Sequence, residues 1–546
     1  MLANRLFVAR ILTLPADALN VAAVIVWIRD EELMRNTLNA TPAKFATVLV
    51  AVAFLAACGD EVAPEKLVTL PLQPCRVAHM ESEVRCATLP VFENRETRQG
   101  RKIGINIVVL PATARIKEPD PVFLLAGGPG QAAADLAREA MAILGGLNGK
   151  RDIVLIDQRG TGKSNGLGCK LGDSFDPEMA DPVKRDQIGK RRLMECRDEL
   201  AKRADLTQYT TTIAMADLDA VRAALGYDRI NLWGGSYGTR AAIEYLRRYP
   251  ENVRSMVLDG VAPPSLAMPA TFARDAGAAY EKMLGACASN AECVKHFPGL
   301  RLQVDDLLTG LAKAPRKARI VDPLNGVERE LTISRDMLLM GLFSTLYVPE
   351  MAAQLPLSLV RAKQGDFGPL MAQAALFGDF AEEKIFMGMR LSVVCAEDLP
   401  RVGSGNLPAP PFGRLFIDEF AKGCEVWPKG KMGNDFDQPV KSDKPVLILS
   451  GGLDPVTPPA LGDEVARSFT NAAHFVAPNI GHGVSVRGCA PKLIKKFIEG
   501  ASVAGLDGKC LERLPRPMYY APMRARAADN QAKESAGPMA KDGDKK

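Results

Sequence analysis

The stretch Asn231-Leu-Trp-Gly-Gly-Ser-Tyr-Gly-Thr-Arg240 limits what this chain can fold into more than any other. Residues 230–233 are apolar and read as a buried strand. Residues 239–249 are amphipathic, stop at Pro250 and read as a helix. Between them stands Gly-x-Ser-x-Gly, centred on Ser236. A chain with 47 glycines meets that pattern by chance often enough that the flanking strand and helix carry the inference. A turn tight enough to join strand to helix around one serine has no room for side chains two residues before and two after it. Gly234 and Gly238 meet that demand. Such a turn presents the Ser236 hydroxyl at the crest of a sheet, beside the amide of Tyr237.

Other short apolar runs read as strands at 103–110, 121–125, 153–156, 253–258, 445–449 and 474–477. Helical patterns alternate with them at 132–147, 212–225, 460–468 and 492–498. This alternation predicts an α/β fold, a mostly parallel sheet covered by helices on both faces. Residues 59–263 form the first part of that core, opening with an entry segment of short strands, and 441–514 form the second part. Residues 264–440 are rich in Ala, Leu and Met at helical spacing and read as a helical cap. Residues 165–210 read as a polar excursion, and 515–546 as a disordered tail. Asp157-Gln-Arg-Gly-Thr-Gly-Lys-Ser164 suggests a phosphate loop, but that motif requires glycine where Asp157 stands, so the segment reads as a polar loop after a strand.

Ligands of parallel sheets bind beyond the carboxyl ends of the strands. Ser236, Asp454 and His482 each follow a predicted strand. A serine hydroxyl needs a base to take its proton and an acid to orient that base. The four histidines are His79, His296, His474 and His482. His482 lies between two glycines just past the last strand and is the candidate base; His474 opens a strand and reads as structural. Asp454 is the candidate acid, with Asp259 its rival, and Ser236, Asp454, His482 is the chain order of α/β-hydrolases. The tetrahedral intermediate needs two fixed N–H donors. Tyr237 supplies one, and the Gly127-Gly128 turn after the strand at 121–125 supplies the other.

The N-terminal region bears on location. A short basic segment from Met34 leads into an apolar run at 45–54, of secretory-signal length, which ends in Leu55-Ala-Ala-Cys58. That resembles a bacterial lipobox, whose cysteine becomes the acylated first residue. The expectation is a signal at 34–58, lipid attachment at Cys58, and a non-native extension at 1–33. The protein would be exported and held on a bacterial membrane through that anchor alone. Of 11 cysteines, removing Cys58 leaves ten, an even number. They fall into neighbour pairs Cys75–Cys86, Cys169–Cys196, Cys287–Cys293, Cys395–Cys424 and Cys489–Cys510, one of about nine hundred possible pairings. An even set suits an oxidising compartment. With four histidines and no Cys-x-x-Cys, no metal site is expected, and no cofactor. A net charge of +5 without a basic stripe excludes nucleic acid as an expected partner.

Five motifs resemble a known family. Ala-Gly-Gly-Pro-Gly (126–130), Asp-Gln-Arg-Gly-Thr-Gly-Lys-Ser (157–164), Gly-Gly-Ser-Tyr-Gly (234–238), Leu-Asp-Pro-Val-Thr-Pro (453–458) and Gly-His-Gly (481–483) are similar, in this order, to the proline iminopeptidase and tripeptidyl aminopeptidase branch of the α/β-hydrolase serine peptidases. The resemblance implies Ser236 as nucleophile, Asp454 as acid, His482 as base, Gly128 and Tyr237 as the oxyanion hole, and the helical insertion as a cap. Ala126 stands where proline iminopeptidases usually carry histidine, and the insertion is closer in size to the tripeptidyl type. An exopeptidase must also hold a free α-ammonium, for which Glu397 and Asp398 are the candidates. The expected substrate is a short peptide with a free N-terminus. The alternatives are a carboxylesterase or amidase using the same triad, and a catalytically silent binding lipoprotein.

Overall fold

The computed structural model describes residues 70–520 apart from 79, 170, 173–181, 324, 383–384 and 404–409. The expected extension and signal, Cys58, His79 and the tail beyond 520 lie outside the described residues. The strands are β1 (Gln73–Cys75), β2 (Val84–Phe92), β3 (Lys102–Leu110), β4 (Val122–Leu125), β5 (Ile153–Ile156), β6 (Ile230–Gly235), β7 (Val253–Asp259), β8 (Arg316–Val321), β9 (Glu328–Ile333), β10 (Val446–Gly451) and β11 (Ala472–Ala477). Nine of them form one sheet in the order β1-β2-β3-β5-β4-β6-β7-β10-β11. From β5 to β11 every pairing is parallel, while β1, β2 and β3 run antiparallel to their neighbours.

The central parallel strands are mostly apolar because both faces are covered. Phe123 and Leu125 pack into the layer of helices Thr211–Ala224 and Tyr237–Arg248. Val122 and Leu124 pack into the opposite layer, with helices Ala137–Leu144 and Ala490–Gly500. The nine-residue β2 is longer than the short entry strands expected. Pro90 interrupts its strand signal, yet β1 pairs only with Val84–Cys86, so Pro90 lies on an open edge where a missing N–H costs no ladder bond. All five neighbour disulfides are formed.

Between β7 and β10 the chain builds the cap from helices including Met268–Ala288, Leu300–Lys313, Arg335–Leu346, Leu355–Lys363 and Leu415–Val426. Its own apolar core includes Phe272, Phe343, Phe412 and Phe416, whose rings pack edge-on or tilted. Two features of this region depart from the sequence expectation. β8 and β9 form an antiparallel hairpin whose strands are mostly exposed, which leaves little apolar pattern to recognise. The polar excursion contains the helix Pro182–Ala201, which packs Leu193 and Leu200 into the cap core and pairs Lys190 with Glu425. Its dense charge hides the helical period.

The cap is latched to the core by buried charge. The last turn of the segment Val394–Asp398 is a wide π turn. Asp398 accepts from Arg240 at 2.8 Å and from the Met268 amide at 3.2 Å, with both side chains of the ion pair wholly buried. Arg240 and Arg401 also donate to the Leu266 carbonyl, and Arg401 to that of Pro264. The start of the cap is thus tied to the helix that follows Ser236. Residues 515–520, expected at the head of a disordered tail, instead cross onto the cap: Tyr519 Oη donates to the Met283 carbonyl at 2.9 Å, and the Tyr520 amide to that of Ala353 at 3.1 Å. Removing one partner of a buried pair leaves an uncompensated charge. Asp398→Ala is expected to lower stability by about 3–5 kcal/mol in urea unfolding, and an unchanged midpoint would remove the latch assignment.

Candidate active site

Ser236 follows β6 with φ +54° and ψ −124°, a conformation that non-glycine residues rarely adopt. The surrounding backbone over-determines it. Its N–H donates to the Asp259 carbonyl at 2.9 Å, and its carbonyl accepts from the Thr239 amide at 2.9 Å and the Thr239 hydroxyl at 2.6 Å. The glycines are required by contact. A Cβ on Gly234 would lie 2.5 Å from the Gly238 carbonyl oxygen, and one on Gly238 would lie 2.1 Å from that of Leu125. The Gly127-Gly128 turn after β4 comes over the same point: a Cβ on Gly127 would meet Ser236 Cβ at 3.2 Å. The amides of Gly128 and Tyr237 therefore belong to the two turns that flank the serine.

His482 stands on the loop after β11. Its Nδ1 lies 2.7 Å from Asp454 Oδ2, which fixes the tautomer with the proton on Nδ1 and leaves Nε2 as the acceptor. Asp454 is held in turn by the Thr457 hydroxyl at 2.7 Å and by the amides of Val456 and Thr457 at 2.9 and 2.8 Å. Burial works against ionisation of Asp454, but His482 and these donors outweigh it and hold the carboxyl below its ordinary range. Burial likewise disfavours the imidazolium, yet the Asp454 carboxylate and, less strongly, Asp259 lift His482 above its ordinary value. The side chain remains 17% exposed.

Asp259, the rival acid, does other work. Its carboxylate accepts from the amides of Val484 and Ser485 at 2.7–3.0 Å and so holds the turn that carries His482. His474 bridges Asp463 and Ser450 at 2.8 and 2.9 Å. Ser450 is wholly buried in β10, and this bridge ties β10, β11 and the helix Pro459–Ala466 together. His296 sits in the cap near Glu292.

Glu397 and Asp398, the candidates for holding a substrate ammonium, are both buried in the base of the cap. Asp398 is engaged by Arg240. Glu397 accepts from the Thr211 amide at 2.6 Å and the Thr211 hydroxyl at 2.7 Å. Burial pushes Glu397 up to about 7, with Arg240 and Thr211 opposing. A carboxylate that receives a substrate amine has to present a free lone pair to the cleft, so this arrangement assigns the pair to the cap's foundation instead.

Two cap contacts at the site carry no sequence motif. The Phe386 amide donates to the Gly130 carbonyl at 2.8 Å, beside a bridge between Gln131 and Ile385. Tyr347 accepts the His482 amide at 3.0 Å and packs its ring edge-on against the imidazole at 5.2 Å. Thr457 lay within a motif already singled out, three residues past Asp454, where a hydroxyl reaches back to the carboxylate. Among the described residues no cluster of three or more metal-ligating side chains occurs.

Residues 120–308 match the α/β hydrolase fold family, and residues 408–510 match the family described as TAP-like protein. The serine protease Hip1 of Mycobacterium tuberculosis is 24% identical over 472 residues, covering 80% of this chain and 90% of that protein. The tripeptidyl aminopeptidase of Streptomyces lividans is 36% identical over 121 residues, 21% of this chain and 22% of its own. A proline iminopeptidase of Xylella fastidiosa is 30% identical over 141 residues, 26% and 32% of the two chains. The chain has the α/β-hydrolase fold. The two family matches between them span all five motifs.

The turn around Ser236 makes a sharp structural demand. Gly238→Ala would drive a Cβ into the backbone of β4, and overpacking of this kind costs about 1–3 kcal/mol or more. A lowered unfolding midpoint is expected, and wild-type stability would show that the turn relaxes without cost.

Proposed function

We propose that the protein is an exported serine aminopeptidase that shortens peptides from a free N-terminus. The observation that carries the chemistry is the His482–Asp454 pair beyond the same sheet edge at which Ser236 is held in its strained turn. Ser236 Oγ attacks the carbonyl carbon while His482 Nε2 takes the hydroxyl proton. Asp454 keeps the ring oriented and stabilises the imidazolium. The oxyanion receives hydrogen bonds from the amides of Gly128 and Tyr237. His482 then protonates the leaving amine, the acyl-enzyme remains on Ser236, and water activated by His482 releases it. The chemistry calls for no metal or cofactor. The names of the relatives favour a peptide over an ester, and the triad alone does not distinguish them. Export is supported by the five disulfides and by Leu55-Ala-Ala-Cys58, with lipid attachment at Cys58.

Two experiments test this. Aminoacyl and tripeptidyl arylamides should be cleaved only with the α-amine free, and Ser236→Ala should abolish turnover. Turnover of a short aryl ester with no peptide cleavage would replace the peptidase with an esterase. In the pH profile, the base must be neutral, and His482 is lifted above its ordinary value. The acid limb of kcat/KM should therefore have its midpoint above about 6.5, the unperturbed imidazole value. Asp454→Asn removes the main group that lifts it, so the limb should move down while kcat falls by about 10⁴. A limb at or below the unperturbed value in the wild type would contradict the pairing.

A further inference from the structure

The base of the cap reaches the nucleophile's neighbour by a second route, separate from the Arg240 latch. Glu397 lies at the N-terminus of the helix Thr211–Ala224 and accepts both the amide and the hydroxyl of Thr211. The Thr211 hydroxyl oxygen is also 2.7 Å from the phenol oxygen of Tyr237. A hydroxyl has one proton. With Glu397 ionised, Thr211 gives that proton to the carboxylate and accepts from the phenol. The direction is then set along the whole chain, from Tyr237 Oη through Thr211 Oγ1 to Glu397 Oε2. Glu397, Thr211 and Tyr237 are all buried, at 1%, 0% and 1% exposure. No water competes for these bonds, so each is firm and each is costly to leave unmade.

Tyr237 is the residue whose amide follows Ser236. The Ser236–Tyr237 peptide leaves a residue at φ +54°, and such a peptide keeps its orientation only when its surroundings impose it. On the Ser236 side, Asp259 and Thr239 do so. On the far side, the Tyr237 ring is fixed by its buried phenol. We propose that Glu397 is a positioning residue for the oxyanion site: through Thr211 it holds the Tyr237 phenol, and so the direction of the Tyr237 N–H. Docking of the cap and alignment of the oxyanion donor are then the same event. Glu397 has this role only if Ser236 and Tyr237 act as proposed above.

The test uses the full chain, a free-amine peptide arylamide and a short aryl ester that has no amine. Thr211→Val removes only the hydroxyl. Glu397→Leu removes the acceptor, and Glu397→Gln keeps an acceptor for the Thr211 amide. A small misplacement of a catalytic group costs up to about a hundredfold. Thr211→Val and Glu397→Leu are expected to lower kcat about ten- to a hundredfold on both substrates, with KM changed by less than about threefold. Glu397→Gln, which keeps one of the two accepted bonds, is expected to recover part of that loss. A rise in KM confined to the free-amine peptide would make Glu397 an amine ligand and overturn the proposal. Unchanged kcat in Thr211→Val would overturn it as well, and that variant decides the matter alone if Glu397→Leu fails to fold. Ser236→Ala, assayed alongside, separates the two levels: retained turnover there removes the nucleophile itself and the proposal with it.

Discussion

The positive φ of Ser236 is the constraint on which the rest of the site depends. A serine in that conformation costs on the order of 1–3 kcal/mol, and it persists because its neighbours leave no alternative. β7 supplies an acceptor for its amide through Asp259, and Thr239 bonds its carbonyl twice. Glycines at 234 and 238 let the strand, the helix and the end of β4 close to backbone contact. The strained turn therefore depends on three strands and one helix packing at native density. The parallel sheet serves the chemistry mainly as a rigid frame for this one peptide.

Buried carboxylates then divide the labour of arranging loops around it. Asp454 faces the imidazole. Asp259 holds the turn after His482 by its amides. Asp157 accepts from the Ala134 amide, the Asn106 side chain and the Lys163 amide, and so ties the polar loop after β5 to the segment that follows the Gly127-Gly128 turn. Glu397 and Asp398 anchor the cap. Each would be destabilising if unpartnered, and burial pushes Asp157, Asp259 and Glu397 above their ordinary range. Their partners are mostly backbone amides, which cannot be lost by substitution. This suits groups whose task is to fix loops.

These physical differences decide what the sequence could disclose. The parallel strands were legible because burial on both faces makes them uninterrupted apolar runs. Ser236, Asp454 and His482 were legible because each sits in a short motif just past such a run, where local sequence and tertiary position coincide. The helix Pro182–Ala201 was not, since a few apolar positions among many charges give no clear period. The β8–β9 hairpin was hidden because Ile320, Leu331 and Ile333 are its only buried strand residues, too few to mark an alternating pattern. Glu397 and Asp398 illustrate a deeper limit. An acidic pair beside a cysteine looks the same whether it faces a substrate or the core, and here the deciding partners, Thr211 and Arg240, are 186 and 158 residues away. The tie from Tyr347 to His482 has no local sign either.

The placement of these ties changes what the cap is. It touches the turn at Gly127–Gly130 through Phe386, the His482 loop through Tyr347, the helix after Ser236 through Asp398 and Thr211 through Glu397. A cap that swung away as a rigid body would break all four contacts at once. It would also strip a buried ion pair of its partner, a cost of several kcal/mol against a folding stability of about 10 kcal/mol. Large opening is therefore coupled to loss of the aligned site. Substrate must be admitted by smaller rearrangements within the cap or along its seams, while the four anchors stay in place. On this view the insertion is the second half of the candidate site, and the α/β core alone would carry Ser236, Asp454 and His482 without the means to hold them in register.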